Sequence, residues 1–230
     1  MGTLQETSIE RTNNKCWYKD VCQLDNDCKM CRRYNEMSYL MENSYLPKNK
    51  QKIIKLAVPE CDEDAYKKLA EIKHDIYDFV YEGRNLYIGS KSTGNGKTSW
   101  SVKLMHSYFA EIWDGNGYEP RAVFVHVPTF LLDCKNFSNK SADMVKLEKL
   151  IKTVDLVVWD DVGSTGVSAY DIATLYAYID YRNLSELANI YTANYETKDD
   201  LAKAVGNRLA SRIWGEKQGE VVIFKGGDIR

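Results

Sequence analysis

The sequence predicts an α/β fold in which a central parallel sheet is flanked by helices. Short, continuous apolar runs of strand length alternate along the chain with longer segments whose apolar residues recur at helical spacing. Two of the apolar runs, at 86–88 and 154–159, are each followed by polar residues suited to ligand binding. Because parallel strands are joined by crossovers that usually contain a helix, this alternation indicates a parallel sheet covered on both faces.

Each predicted helix has apolar residues at helical spacing, and three have a visible stop signal: Pro47 after the first, Gly83 after the second and Gly115 near the end of the third. The helices are expected over 34–45, 62–81, 98–112, 129–153 with a break around 136–141, 168–186 and 198–214. The strands are expected over 86–88, 121–127, 154–161, 187–195 and 220–225.

The composition is that of a soluble globular protein, with 44% hydrophobic and 28% charged residues in a chain of 230. A net charge of −2 excludes a global field that would draw the protein onto nucleic acid, so any such binding needs a local patch. The first ten residues are polar, and no apolar run has the length of a signal peptide core or a membrane span. We therefore expect a cytoplasmic protein.

Four cysteines near the N-terminus have the spacing C-x5-C-x5-C-x2-C; they are Cys16, Cys22, Cys28 and Cys31. We predict a zinc site, because thiols in the cytoplasm bind metal more often than they form disulfides and a short segment needs such a site to fold. Unliganded thiols and an iron–sulfur cluster are the alternatives. This predicts a Cys-rich helical domain over 1–46, a basic linker over 47–61 and an α/β domain over 62–230.

The loop after the strand at 86–88 has the composition of a phosphate-binding loop. Gly94, Gly96, Lys97 and Thr98 stand in the order Gly-x-Gly-Lys-Thr where the next helix begins. Glycines let backbone N–H groups turn toward phosphates at the positive end of that helix. We expect Lys97 to reach the β- and γ-phosphates of a nucleotide and the Thr98 hydroxyl to ligate Mg²⁺. The predicted phosphate-contacting residues are Ser92, Thr93, Gly94, Asn95, Gly96, Lys97 and Thr98.

This loop departs from the common pattern G-x-x-x-x-G-K-T at one position. Lys91 stands where the first glycine is usual, and Gly89 lies two residues too early to replace it. A chance Gly-Lys-Thr in an ordinary loop is the alternative interpretation.

Two carboxylates, Asp160 and Asp161, end the apolar run that begins at residue 154. A carboxylate at the carboxyl end of such a strand lies near the phosphate loop, and we assign Asp160 to Mg²⁺. Asp161 is predicted to orient and deprotonate an attacking water. Aspartate is one methylene shorter than the glutamate often found there, so we expect hydrolysis that is slow or depends on a partner. The alternative interpretation of Asp160 and Asp161 is that the strand simply ends in a polar turn.

Three further polar residues follow in the second half of the chain. Asn194 ends a predicted strand and could position water near the γ-phosphate, although asparagine is also an ordinary turn residue. Arg208 and Arg212 are four residues apart and therefore share one helix face. An arginine offered to the γ-phosphate of a neighbouring subunit would complete a site between subunits. The alternative is an exposed arginine or one that pairs with a nearby carboxylate such as Asp199, Asp200 or Glu216.

Residues from about 75 to 230 resemble the DnaC/DnaI-type replicative helicase loaders, which are AAA+ ATPases, with the IstB transposition helpers as close relatives. The resemblance is carried by the phosphate loop, by the segment over 155–163, and by the order of Tyr170, the Thr-Ala-Asn at 192–194 and the Gly-Asn-Arg at 206–208. It implies an AAA+ core with Walker A at Lys97 and Thr98, Walker B at Asp160 and Asp161, and sensor 1 at Asn194. It further implies that Arg212 is the arginine finger, with Arg208 as the second candidate. From the resemblance we expect no helical lid of the kind that many AAA+ proteins carry, and we expect a phage or prophage type.

The resemblance also implies partners and cofactors. The AAA+ domain would bind ATP, Mg²⁺ and single-stranded DNA and would self-assemble with ATP between subunits, and the N-terminal module with its zinc would hold the hexameric helicase. Aromatic residues and lysines form unspecific single-strand sites, and the candidates are Tyr170, Phe137 and Lys135, although each aromatic could equally belong to the core. The rival functions are a transposition helper ATPase and an adaptor that tethers helicase and single strands without hydrolysis.

Overall fold

The computed structural model describes residues 31–51, 58–114, 118–136, 139–164, 166–215 and 219–228. Within these residues, five strands form one sheet: β1 (Asn85–Gly89), β2 (Ala122–His126), β3 (Leu156–Val162), β4 (Ala188–Ala193) and β5 (Gly219–Ile223). The strand order is β2-β3-β4-β1-β5, and every neighbouring pair is parallel. The predicted fold class, a parallel sheet flanked by helices, is confirmed.

The helices of the described part are α1 (Arg32–Glu42), α2 (Glu63–His74), α3 (Ile76–Tyr81), α4 (Lys97–Ile112), α5 (Val127–Cys134), α6 (Ala142–Thr153), α7 (Ala169–Leu184), α8 (Lys198–Val205) and α9 (Asn207–Trp214). Short 3₁₀ turns cover Lys48–Lys50 and Glu60–Asp62. Hydroxyl side chains cap three of the helices at Ser141, Ser168 and Thr197, where each accepts a hydrogen bond from an otherwise unpaired N–H. None of these helices is both long enough and apolar enough to cross a membrane.

Two predicted helices are each divided in the structure. The segment predicted as one helix over 62–81 breaks at Asp75, whose φ of −101° and ψ of 29° are not helical. The segment predicted over 198–214 breaks at Gly206, which has a φ of 82° that only glycine adopts readily. The predicted break around 136–141 separates α5 from α6 as expected.

Alternate residues of each strand face two separate hydrophobic cores. Leu86 and Ile88 of β1 lie in the core that α1 to α4 cover, whereas Tyr87 lies in the core that α5 to α9 cover. The same alternation holds in β3, where Val158 belongs to the first core and Trp159 to the second. Because both faces are covered, the strands are continuous apolar runs, and this explains why they were visible in the sequence.

The segment that contains α1 packs against the first core. Met37, Leu40 and Met41 of α1 are almost fully buried there. The Ser44 carbonyl accepts a hydrogen bond from the N–H of Phe124 in β2 at 2.7 Å. Residues 32–46, which the sequence assigned to an N-terminal domain, therefore contact the α/β core. The division into 1–46, 47–61 and 62–230 stays a prediction, because residues 1–30 and 52–57 lie outside the described part.

Candidate nucleotide-binding site

The strand order brings together the three strands that carry the predicted site. β3, β4 and β1 are neighbours, so their carboxyl ends meet at one edge of the sheet. The phosphate loop follows β1, the two carboxylates lie near the end of β3, and Thr192 lies near the end of β4 with Asn194 directly after it. Ligands of open parallel sheets bind beyond this edge.

The phosphate loop is held in place by left-handed glycines and by side-chain hydrogen bonds. Gly94 has a φ of 72° and Gly96 a φ of 95°, conformations that a side chain would strain. The Ser90 hydroxyl accepts hydrogen bonds from the Ser92 N–H at 3.0 Å and from the side-chain amide of Asn95. Asn95 also donates to the carbonyl of Gly226 at 3.4 Å, which joins the loop to the C-terminal segment.

That C-terminal segment is fixed by a buried carboxylate. Asp62 is 1% exposed and accepts hydrogen bonds from the N–H groups of Lys225 and Gly226, at 2.6 Å and 3.1 Å. Gly226 allows this approach, because a Cβ at this position would lie 2.6 Å from the carboxylate. Asp62 thus supports Asn95 indirectly, a role that no local sequence pattern indicated.

Lys97 lies inside the loop with its ammonium group directed back onto it. The ammonium donates to the Ser92 carbonyl at 2.7 Å and to Asn95 Oδ1 at 3.1 Å, and the residue is 8% exposed. Burial lowers the pKa of Lys97, although Asp161 and Asp160 act in the opposite direction. A phosphate oxygen is a stronger acceptor than either of these neutral oxygens, so the loop presents a cation to an anionic ligand.

Asp160 meets Thr98 as the sequence predicted, and two further residues join them. The Asp160 side chain is nearly buried, and its Oδ1 accepts hydrogen bonds from the hydroxyls of Thr98 at 2.7 Å and Thr192 at 2.8 Å. Its Oδ2 pairs with the ammonium of Lys50 at 3.3 Å. Hydroxyl and carboxylate oxygens are the ligands that Mg²⁺ prefers, so this donor set fits the predicted ion.

Asp161 lies in a β-bulge of β3. Trp159 pairs with Tyr191 and Val162 with Ala193, so β3 contains one residue more than β4 between these pairs. Asp161 adopts a φ of 66°, which is uncommon outside glycine but less so for aspartate. Bulges often redirect side chains next to functional sites.

The bulge also brings together the two residues predicted to handle water. Asn194 donates its side-chain amide to Asp161 Oδ1 at 3.2 Å. The Thr192 hydroxyl accepts the N–H of Asp161 at 3.0 Å while it donates to Asp160. Thr192 thus joins the Asp160 carboxylate to the backbone of Asp161, a role that no local sequence pattern indicated. Its place one residue before the end of a strand that ends at the same edge is the signal that could have identified it.

Lys91, the residue in place of the usual first glycine, points away from the loop. Its side chain is 74% exposed and pairs with Glu196 at 3.4 Å. The two residues line an open cleft of about 510 Å³ together with Asn194, Tyr195, Asp200 and Lys203. The cleft therefore borders the predicted water-positioning residue Asn194.

Neither candidate arginine finger contacts the described residues of this site in its own chain. Arg212 Nε pairs with Asp180 Oδ1 of α7 at 2.6 Å, and its backbone carbonyl accepts a hydrogen bond from Asn183. This ion pair was not among the alternative partners considered from the sequence. Arg208 is exposed, and its side chain makes no hydrogen bond or ion pair within the described part of the chain.

The candidate DNA-binding residues lie on a different part of the surface. Tyr170 is 40% exposed, and its hydroxyl is 3.5 Å from the Cys134 carbonyl that accepts its hydrogen bond. Lys135 pairs with Asp171 at 3.0 Å. Phe137 lies outside the described residues. Tyr170 borders a cleft of about 320 Å³ that is also lined by Lys140, Lys152, Tyr178 and Tyr181.

The predicted zinc site lies almost entirely outside the described residues, because Cys16, Cys22 and Cys28 are not among them. Cys31 is described, and its Sγ accepts a hydrogen bond from the N–H of Tyr34 at the start of α1. Among the described residues, no group of three or more His, Cys, Asp or Glu side chains could hold a metal ion. Zinc binding stays a prediction.

Comparison with solved structures gives clear matches. The DnaC helicase loader superimposes with a TM-score of 0.62 at 20% identity, over 78% of this chain and all of the loader. DnaI superimposes with a TM-score of 0.61 at 18% identity, over 78% of this chain and 95% of DnaI. This chain has the fold of DnaC, DnaI and DnaA. The resemblance stated from the sequence is confirmed at the level of the fold.

The DnaA match is a replication initiator bound to AMPPCP and single-stranded DNA, with a TM-score of 0.58 at 20% identity. It covers 79% of this chain and 51% of that initiator, which is the larger chain. No protein-family model matches the sequence, and neither does any curated protein. The likeness therefore rests on the fold.

Proposed function

We propose that this protein is an ATP-dependent loader of a hexameric replicative DNA helicase onto single-stranded DNA. The observation that carries the proposal is the 2.7 Å contact between Thr98 and Asp160, beside the buried ammonium of Lys97. A cation within a glycine loop and a hydroxyl–carboxylate pair are what a nucleotide triphosphate with Mg²⁺ requires. The fold shared with a helicase loader supports the biological role.

Each residue of the site has a role in this proposal. Residues 92–98 would bind the phosphates, and Thr98 and Asp160 would hold Mg²⁺, which neutralises charge on the β- and γ-phosphates when it is bound. Asp161 would accept a proton from the attacking water, and Asn194 would orient both the carboxylate and the water. Arg212, or Arg208 in its place, would reach the nucleotide of a neighbouring subunit.

The proposed partners are bound outside the nucleotide site. Tyr170, Lys135 and Phe137 would contact single-stranded DNA, and the lysines and tyrosines around the cleft beside Tyr170 suit stacking on bases and pairing with phosphates. A DnaA of the same fold has been solved with single-stranded DNA, which supports this class of ligand. The Cys-rich N-terminal module, with zinc, would hold the helicase.

Two observations favour a second candidate function, an adaptor that binds ATP without turning it over. Asp161 is the shorter carboxylate, and its position depends on an uncommon backbone conformation. Arg212 is paired with Asp180, so its action on a neighbouring subunit would require that ion pair to open. In this alternative, ATP would order the subunits as a structural ligand.

The deciding experiment is the ATPase rate with and without single-stranded DNA and the host replicative helicase, together with co-purification of that helicase. A stable complex with stimulated turnover is the expected result. A complex without turnover would establish the adaptor. If no complex forms, the helicase is not the partner and the transposition helper becomes the preferred function. That function would be tested with duplex DNA and a transposase.

A further inference from the structure

Lys50 reaches the predicted magnesium ligand from a distant part of the chain. Its ammonium lies 3.3 Å from Asp160 Oδ2, the carboxylate oxygen that neither Thr98 nor Thr192 uses. The two residues are separated by 110 positions in the sequence. From the sequence, Lys50 belongs to the predicted basic linker over 47–61.

The contact has an electrostatic reason. The Asp160 side chain is only 4% exposed, and a buried carboxylate requires a counter-charge or it becomes costly to keep ionised. Hydroxyl donors fill Oδ1 but carry no charge, whereas Lys50 neutralises the group directly. Lys50 therefore supplies the positive charge that a divalent cation would bring to the same carboxylate.

The position of Lys50 depends on an ordered turn. Residues 48–50 form a 3₁₀ turn in which the N–H of Lys50 donates to the Pro47 carbonyl at 2.8 Å. The Gln51 side chain donates to the carbonyl of buried Leu46 at 3.0 Å, which fixes the other side of the turn. The ammonium of Lys50 also lies 5.1 Å from the centre of the Phe124 ring, a cation–π contact.

Lys48 belongs to the same turn and provides a matched comparison. It is exposed, and within the described part of the chain its side chain makes no ion pair or hydrogen bond. The difference shows that the contact of Lys50 follows from its place in the turn and not from a general attraction of the basic run to the acidic edge.

We propose that Lys50 is an intramolecular latch that takes the place of the divalent cation on Asp160 and leaves when that cation binds. The inference rests on the proposed nucleotide site and adds a means of regulation to it. Binding of Mg²⁺ with ATP would release residues 47–51 from the core. In the sequence, these residues directly follow the predicted N-terminal module, which contains the Cys-rich segment and α1. Coupling between two sites is reciprocal, so a partner that draws this turn away would strengthen the binding of Mg²⁺ with ATP.

The first test measures how strongly Mg²⁺ assists nucleotide binding. The dissociation constant of the fluorescent analogue mant-ATP is measured in EDTA and in excess Mg²⁺. The value in EDTA divided by the value in Mg²⁺ is then compared between the wild type, Lys50→Met and Lys48→Met. Methionine keeps the apolar stem against Phe124 and removes the charge. We expect Lys50→Met to raise the ratio by about fivefold or more, as coupled sites typically do, and Lys48→Met to leave it unchanged. An unchanged or lower ratio in Lys50→Met would overturn the latch.

The second test needs no nucleotide. Limited trypsin digestion reports cleavage after Lys48, with cleavage after Lys146 of α6 as the internal measure of global unfolding. We expect Lys50→Met and Asp160→Asn to speed cleavage after Lys48 several-fold relative to the wild type, with the rate at Lys146 constant. Equal rates at Lys48 would overturn the latch.

The two tests also separate the latch from the nucleotide site. If the wild type binds no mant-ATP in either condition, the proposed nucleotide site fails and the coupling to it fails with it. If mant-ATP binds normally but neither the ratio nor the cleavage rate responds to Lys50→Met, only the latch is refuted.

Discussion

The two edges of the parallel sheet carry polar networks of different kinds. At the carboxyl edge, the charged groups are Lys97 at the start of α4, Asp160 near the end of β3 and Lys50 in a 3₁₀ turn, and a ligand could replace several of their contacts. At the amino edge, Arg182 is fully buried, and its guanidinium donates to backbone carbonyls. Charge alone therefore does not identify a functional site in this fold, whereas the edge of the sheet on which it lies does.

The amino-edge network satisfies backbone groups where strands begin. The Arg182 guanidinium donates to the carbonyls of Ile151, Val154, Asp155 and Ala188 and to Asn189 Oδ1, over distances of 2.6 to 3.0 Å. Asn189 continues the network to Asn85 at the start of β1. Burial lowers the pKa of Arg182 to about 9, so the group still carries its proton at neutral pH. Arg182 thus joins α6, α7, β3 and β4.

The largest expected effect is therefore on stability at the amino edge. Arg182→Met should lower the free energy of unfolding by about 3–5 kcal/mol, because several buried carbonyls lose a charged donor. Urea unfolding measures the change. The control Arg212→Met removes a half-exposed arginine and should cost less than about 1 kcal/mol. Equal losses of unfolding free energy in the two variants would show that the buried network does not provide this stabilisation.

The next effect is on ligand binding at the carboxyl edge. Lys97→Ala should weaken ATP binding by about 100-fold or more, because the phosphates lose charge-assisted hydrogen bonds, while the melting temperature changes little. Isothermal titration calorimetry with ATP and Mg²⁺ measures the affinity. Lys91→Ala removes an exposed lysine of the same loop and should leave the affinity within about twofold. Unchanged affinity in Lys97→Ala would refute the phosphate loop.

A smaller effect is expected from the Thr192 hydroxyl, which bonds to the Asp160 carboxylate and to the backbone N–H of Asp161. Thr192→Val should reduce the advantage that Mg²⁺ gives to ATP binding by about tenfold, a typical cost of losing a group that positions a metal ligand. Thr192→Ser keeps the hydroxyl and should restore the wild-type value. If valine and serine behave alike, the hydrogen bonds of Thr192 to Asp160 and Asp161 do not matter for binding.

The smallest effect in the isolated protein is expected from the exposed arginine of α9. Arg212→Ala should leave the ATP affinity of the monomer within about twofold, because the ion pair with Asp180 is partly exposed. It should abolish the turnover that DNA and helicase stimulate. Steady-state ATPase assays on Arg212→Ala, Arg208→Ala and Asp180→Asn distinguish the two arginines. If Arg212→Ala keeps the stimulated ATPase activity and Arg208→Ala loses it, Arg208 is the arginine finger.

Local patterns in the sequence predicted most of the fold, because the strands are buried on both faces and the helices are amphipathic. Residues 86–88 and 154–161 were recognisable for that reason, and the helix break near 136–141 was visible from its polar residues. The breaks at Asp75 and Gly206 were not predicted, because the apolar spacing continues across both positions. Helical periodicity records which face is buried and does not require one continuous helix.

The candidate site was predicted in part. The residues found are those whose partners lie close in the sequence, and the residues missed are those whose partners lie far away. Lys97 and Thr98 belong to one short motif, and Asp160 and Asp161 to another, so each was found from neighbouring residues. Thr192, Asp62 and Lys50 act through partners that only the fold brings close. Their residue types are common, and nothing beside them in the sequence marks them.

The sequence by itself determined the order of the elements, the fold class and the motifs whose chemistry lies within a few consecutive residues. Only the tertiary structure decided the strand order that brings Thr192 to Asp160, the bulge that contains Asp161 and the turn that places Lys50 beside Asp160. The physical reason is the distance in sequence over which each interaction acts. Helix spacing, strand burial and glycine conformation are local preferences, whereas a buried charge finds its counter-ion wherever the folded chain places one.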